Sequence, residues 1–138
     1  MKHFTINEMC KSATAKRHGL DNTPNDEQKG CLKALVEHVL DPLREAWGAP
    51  IIVDSGYRCQ RLNKIVNGSP TSQHMLGQAA DIHTVKDTPA ENKKLFQLIQ
   101  QLKLPFDQLI DEHDYNWVHV SYGPRNRRRI LHLPLKKA

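Results

Sequence analysis

The sequence predicts a single α+β domain in which helices pack on a small, mostly antiparallel sheet. One observation is the helical spacing of apolar residues between Leu32 and Trp47, and another is a pair of strand-like segments close together at 107–122. The length of 138 residues is typical of one domain. We therefore expect 1–138 to be one domain, with a core over about 4–122 and a basic C-terminal tail at 123–138.

Composition excludes several classes of protein. The chain is 38% hydrophobic and 25% charged, which is too apolar for a disordered chain and too polar for a membrane protein. The first residues lack the apolar region of a signal peptide, so we expect cytoplasmic synthesis. Cys10, Cys31 and Cys59 form no C-x-x-C pair, which excludes a cysteine-based zinc knuckle. They are interpreted as small core thiols, with a Cys10–Cys31 disulfide as the alternative.

Three helices are predicted in the first third of the chain. Thr5-x-x-Glu8 is a capping box that begins a short helix, and Asn25-x-x-Gln28 offers a second start. The main helix carries its apolar residues on one face and ends at Gly48-Ala49-Pro50. These apolar residues are Leu32, Leu35, Val36, Val39, Leu40, Leu43 and Trp47.

The middle of the chain alternates short elements. Ile51–Val53 is a β-branched strand, and a short helix runs through Leu62 and Ile65. A turn-rich loop covers Asn67–Ser72, and Ala79–Val85 has the alternating pattern of a strand.

The last elements are a helix and a hairpin. Pro89 begins an amphipathic helix that Pro105 ends. Asp107–Glu112 and Trp117–Tyr122 are predicted strands, joined by a turn at 113–116.

Two histidines and one aspartate are candidate metal ligands. A hydrolytic zinc site needs three nitrogen or oxygen ligands and one open position for water. His74 on a turn, Asp81 on the following strand and His119 on a later strand could supply them, and Gly77 allows the chain to reverse between the first two. The other six of the eight histidines have no comparable partners in the sequence.

The motifs around these residues are more specific than their spacing. They are Ser-x-His-x-x-Gly-x-Ala-x-Asp at 72–81, Ser-Gly-Tyr-Arg at 55–58 and Trp-Val-His-Val-Ser at 117–121. Together they resemble the bacterial zinc D-Ala-D-Ala carboxypeptidases and L-Ala-D-Glu endopeptidases, cell-wall peptidases that share their fold with hedgehog signalling domains. The resemblance covers roughly residues 4–122.

The resemblance implies a role for each matching residue. His74, Asp81 and His119 would bind one Zn²⁺ per chain. Arg58 would pair with a substrate carboxylate or carbonyl, a task that suits its planar guanidinium, although an ion pair with Asp54 is the alternative. Ser72 would help to hold the peptide.

The catalytic acid/base departs from the family pattern. Several members carry it three residues before the last histidine, where this chain has Asn116. If residues 113–116 form the turn, Glu112 lies opposite Trp117 and shares the face of His119. We therefore predict Glu112 as the base, with Asp111 and His113 as alternatives because a one-residue slip would exchange the faces. Trp117 would line the cleft wall, as a packing residue or a substrate contact.

The sequence thus favours a zinc peptidase acting on peptidoglycan stem peptides, as a D-Ala-D-Ala carboxypeptidase or an endolysin-type endopeptidase. Its compact size resembles that of phage or prophage lysis enzymes released to the cell wall. The alternative is an inactive, hedgehog-like module that binds zinc and a peptide, in which Asn116 marks lost catalysis.

The basic run Arg125–Arg129 is interpreted as a solvated tail, attracted to an anionic wall by the net charge of +5. Nucleic-acid binding is the weaker alternative, because no interleaved aromatic residues accompany the run. The sequence leaves the oligomeric state open, and we expect a monomer.

Overall fold

A computed structural model describes residues 1–134 and confirms the α+β class. The sheet has the order β1-β2-β4-β3-β5, and all neighbouring strands are antiparallel except β3 and β5, which are parallel. The strands are β1 (Ile51–Ser55), β2 (Ala79–Thr84), β3 (Gln108–Glu112), β4 (Trp117–Ser121) and β5 (Arg129–Leu133).

Six α-helices, one π-helical segment and one 3₁₀ turn complete the described chain. The α-helices are α1 (Ile6–Cys10), α2 (Ala13–Arg17), α3 (Asp26–Leu35), α4 (Asp41–Trp47), α5 (Gln60–Ile65) and α6 (Pro89–Gln101). The π-helical segment is Val36–Leu40 and the 3₁₀ turn is Gln73–Leu76. Thr5 and Asn25 cap α1 and α3 as predicted, and the capping box at Asn25 is complete. Of these elements, α2 had no sequence prediction.

The two faces of the sheet have different tasks. Strand residues alternate between faces, so the register decides which side chains meet. One face carries Ile82, Leu109, Val118 and Val120, which are buried against the helices. The opposite face pairs Asp81 with His119 and Glu112 with Trp117, and it forms the floor of an open cleft. The hairpin register is therefore the predicted one.

Helices supply the other half of the core. Leu32, Leu35, Leu40 and Leu43 project from α3, the π-helical segment and α4 into the same buried cluster as the strand residues. Burying side chains of this kind contributes roughly 1.5–3 kcal/mol each. The helices thus pack on the apolar face of the sheet, and the opposite face remains available for polar side chains.

The main helix contains a local irregularity that the sequence explains. Pro42 lies within it and has no N–H to donate to His38, four residues earlier. The chain widens into the π-helical segment just before this proline, and Asp41 donates its N–H to the Val36 carbonyl, five residues back. The helix therefore continues to Trp47 and ends at Gly48, which adopts a left-handed conformation.

The structure bears on the cysteines and on the membrane-spanning potential of the helices. All three cysteines are free and partly buried, so the Cys10–Cys31 disulfide is absent. Within residues 1–134, the helices are all too short or too polar to cross a membrane.

The arginines of the basic run are exposed, as predicted, but the segment is not a free tail. Residues Arg129–Leu133 form the edge strand β5, which pairs with β3. Asp107, whose side chain is 1% exposed, holds the start of this segment. Its carboxylate accepts hydrogen bonds from the Arg127 backbone N–H (3.0 Å) and Nε (2.8 Å) and from Gln73 Nε2 (3.0 Å). Asp107 precedes Arg127 by twenty residues in the sequence, so local patterns do not reveal this contact.

Asp107→Asn should destabilise the protein by about 2 kcal/mol at pH 7, because Arg127 would lose its charged partner at a buried site. Hydrogen bonds from Arg127 hold the pKa of Asp107 at about 2 in the folded chain. The stabilisation is therefore fully present above the unfolded pKa of about 4 and is lost as the pH falls toward 2. Urea unfolding of both proteins at pH 7 and pH 2.5 measures this, with Glu27→Gln as an exposed control. An equal difference at the two pH values would contradict the assignment.

Candidate active site

Three side chains from separate elements converge on the cleft floor. Asp81 Oδ1 lies 3.0 Å from His119 Nδ1 and 3.3 Å from His74 Nε2. The ligand atoms of the three residues all lie within 4.8 Å of one another. Asp81 and His119 are cross-strand partners on β2 and β4, whereas His74 comes from the 3₁₀ turn. The structure thus brings together the three residues that the sequence predicts as metal ligands.

The turn that carries His74 is held by its neighbours. The Ser72 hydroxyl accepts the His74 backbone N–H at 3.1 Å, so Ser72 lines the cleft as the cap of this turn. Gly77 ends the turn at a φ of 74°, and a Cβ there would lie 2.5 Å from the Gln28 carbonyl oxygen. Only glycine meets both conditions, which gives the glycine of the sequence motif its physical reason.

The donor set fits a metal cation. His74 Nδ1 lies 2.7 Å from the Gly56 carbonyl oxygen, which can only accept, so Nδ1 carries the proton. In the neutral imidazole, Nε2 then directs a lone pair toward Asp81 Oδ1, an arrangement that needs a proton or a cation between the two atoms. Zn²⁺ takes such nitrogen and carboxylate ligands. The Gly56 contact is the outer hydrogen bond that typically orients a histidine ligand.

The electrostatics favour a charged Asp81. Its side chain is only 8% exposed, and burial opposes ionisation. The imidazoles of His74 and His119 outweigh this penalty and hold the pKa of Asp81 far below its usual range. The carboxylate is therefore available as an anionic ligand.

Arg58 also contacts this carboxylate. Its Nη2 donates to Asp81 Oδ2 at 3.2 Å, its Nε to Ser55 Oγ at 2.9 Å and its Nη1 to Asn63 Oδ1 at 3.2 Å. Arg58 lines the cleft, and its carboxylate partner within the protein is Asp81. The alternative pairing with Asp54 is wrong, because Asp54 lies 3.1 Å from His83 Nε2 instead.

Glu112 faces the cleft at the end of β3. Its Oε2 accepts the indole N–H of Trp117 at 2.6 Å, so Trp117 fixes the carboxylate in the cleft wall. His113 also lines the cleft and packs on Trp117, with ring centroids 5.0 Å apart. Asp111 points to the opposite face, where it is 1% exposed and bonded to the Tyr115 N–H and His132. This orientation removes Asp111 as a candidate base.

Asn116 lies outside the cleft. It is exposed at the end of the hairpin turn, and its backbone carbonyl accepts a hydrogen bond from Asn92 Nδ2 at 3.3 Å. An asparagine instead of a carboxylate at position 116 therefore does not alter the lining of the cleft.

The cleft has a volume of about 850 Å³, within the range of ligand sites. Its walls contain hydroxyl and amide groups from the loop 66–72 and two arginines of the basic run, Arg125 and Arg127, which were expected in a solvated tail. Their position depends on the buried Asp107. Apart from the basic run itself, the sequence contained no pattern that placed these two arginines at the cleft.

The family model described as peptidase M15 matches residues 2–121 of this chain. The chain belongs to the peptidase M15 family. Membership implies a peptidase, and M15 peptidases are zinc-dependent, in agreement with the His74, Asp81 and His119 group. No curated protein matches this chain. The matched range ends at residue 121. Arg125 and Arg127, which line the cleft, therefore lie outside the part of the chain that matches the family.

Replacing His74 or His119 with alanine should weaken Zn²⁺ binding by at least about 100-fold, because each change removes one of three ligands. His83→Ala is the matched control, since His83 also lies on the sheet but contacts Asp54 and Asp87. Competition with a chromophoric chelator measures the affinities. Equal affinity in all three variants would show that this group does not hold the metal.

Proposed function

We propose that this chain is a zinc peptidase that hydrolyses peptidoglycan stem peptides. The observation that carries the proposal is a carboxylate, Glu112, held in the wall of the same cleft whose floor contains the His74, Asp81 and His119 group. Family membership supports the peptidase activity, and the motifs found in the sequence support the cell-wall substrate. The cleft, with its hydroxyl and amide groups, suits the polar backbone of an extended peptide.

Each residue has a defined task in the proposed reaction. When bound, Zn²⁺ supplies Lewis-acid polarisation of the scissile carbonyl and lowers the pKa of a water molecule. Glu112 takes a proton from the attacking water and returns it to the leaving amine. Trp117 orients Glu112 through its indole N–H, and Arg58 keeps Asp81 in its ligand orientation.

The exposed position of Asn116 disfavours the hedgehog-like binding module. That alternative required Asn116 to mark a vacant catalytic position. Asn116 lies outside the cleft and Glu112 lies within it. The cleft therefore contains a carboxylate even though position 116 is an asparagine.

Zinc-loaded protein should release peptide fragments from purified peptidoglycan, and chelator should abolish this activity until Zn²⁺ is restored. Mass spectrometry of the digest identifies the bond and distinguishes a carboxypeptidase from an endopeptidase. An intact wall after incubation with zinc-loaded protein would contradict the proposal and favour a binding module.

Glu112→Gln should remain folded and bind Zn²⁺ but lose at least about 100-fold in kcat, because the amide cannot accept the water proton. Circular dichroism and zinc titration provide the controls. Activity at the level of the parent protein would exclude Glu112 as the base.

Trp117→Phe keeps an aromatic ring but removes the indole N–H, so Glu112 loses its orienting donor. We expect kcat to fall about tenfold, with KM and Zn²⁺ affinity nearly unchanged. Steady-state kinetics on the peptide identified by mass spectrometry measure this. A rise in KM alone would instead assign Trp117 to substrate contact.

A further inference from the structure

Three of the five N–H donors of the Arg58 guanidinium are bonded within the protein. It is 15% exposed and bonded through Nε, Nη1 and Nη2 to Ser55, Asn63 and Asp81. Gly68 packs behind it, where a Cβ would lie 2.9 Å from Nη1. If Arg58 turned toward a substrate carboxylate, Asp81 would lose its cationic partner. Arg58 is therefore held as a positioning residue for Asp81, and a more exposed cation of the cleft is better placed to meet a substrate carboxylate.

Arg125 is that cation among the described residues that line the cleft. Arg58 pairs with Asp81, and Arg127 pairs with Asp107 at 2.8 Å. Arg125 is 65% exposed, and its nearest carboxylate oxygen, Asp107 Oδ2, lies 3.9 Å from Nη2, beyond hydrogen-bond distance. Because Arg127 already neutralises Asp107, the charge of Arg125 is available to a ligand.

The backbone on both sides of Arg125 is anchored. The Gly123 N–H donates to Asn126 Oδ1 at 2.9 Å, and Arg127 is bonded to Asp107. Asp107 also accepts from Gln73, which precedes His74 in the 3₁₀ turn. The segment that carries Arg125 is thus tied to the turn that carries a candidate metal ligand, and a ligand at Arg125 would lie in a fixed position relative to it.

We propose that Arg125 forms a carboxylate-binding subsite of the cleft and selects peptides with a free carboxylate near the cleaved bond. An arginine can hold a carboxylate through two parallel hydrogen bonds. This inference rests on the proposed function for its physiological substrate, but the binding itself can be measured without hydrolysis. The carboxylate can come from the peptide terminus or from an acidic residue within the peptide.

The test uses zinc-loaded full-length protein in the Glu112→Gln background and three stem peptides. One peptide is unmodified, one is amidated at its C-terminus, and one is amidated at its internal acidic residue. Isothermal titration calorimetry gives the dissociation constants, and mass spectrometry verifies that each peptide stays intact. Arg125→Gln and Arg125→Lys are compared with Arg44→Gln, an equal charge change on α4, behind the sheet.

Arg125→Gln should weaken binding of the unmodified peptide about fivefold, and one of the amidated peptides should bind equally to parent and variant. The peptide with that property identifies the carboxylate. Arg125→Lys should recover part of the affinity, and Arg44→Gln should have no effect. Equal weakening by Arg125→Gln for all three peptides, equal effects of Arg125→Gln and Arg44→Gln, or no preference of the parent for a carboxylate would overturn the subsite. Failure of the proposed function has a different signature, which is intact peptidoglycan with carboxylate-dependent binding retained.

Discussion

The site depends on one buried carboxylate. Asp81 is shared between His74 and His119 on one oxygen and Arg58 on the other, and each of these partners comes from a different part of the chain. A charge buried to this extent is stable only with such partners. The register of β2 and β4, the 3₁₀ turn after Ser72 and the position of Arg58 are therefore coupled, because each must deliver its side chain to the same carboxylate.

The sheet allows this arrangement because its two faces are independent. The helices bury the face with Ile82, Val118 and Val120, and this packing holds the strands in register. Polar residues on the other face then incur no cost to the core. Glu112, which we propose as the catalytic base, and the candidate ligands Asp81 and His119 occupy this second face, so local changes there can alter specificity while the fold persists.

The second network, around Asp107, extends the cleft beyond the part of the chain that matches the family. Asp107 holds Arg127, and β5 continues the sheet, which leaves Arg125 at the cleft wall. The same carboxylate contacts Gln73 and thereby reaches the turn of His74. Stability of the C-terminal segment and the position of Arg125 at the cleft are consequently linked through one buried residue.

The sequence by itself determined the α-helices except α2, four of the five strands, the caps at Thr5 and Asn25, and the group of His74, Asp81 and His119, because caps, periodicity and short motifs are local signals. It also determined that Glu112 shares a face with Trp117, since the length of the hairpin turn sets the register. Only the tertiary structure decided that Arg58 binds Asp81 instead of standing free, and that the basic run ends in a strand with Arg125 at the cleft. Both depend on buried carboxylates distant in sequence, whose partners no local pattern specifies.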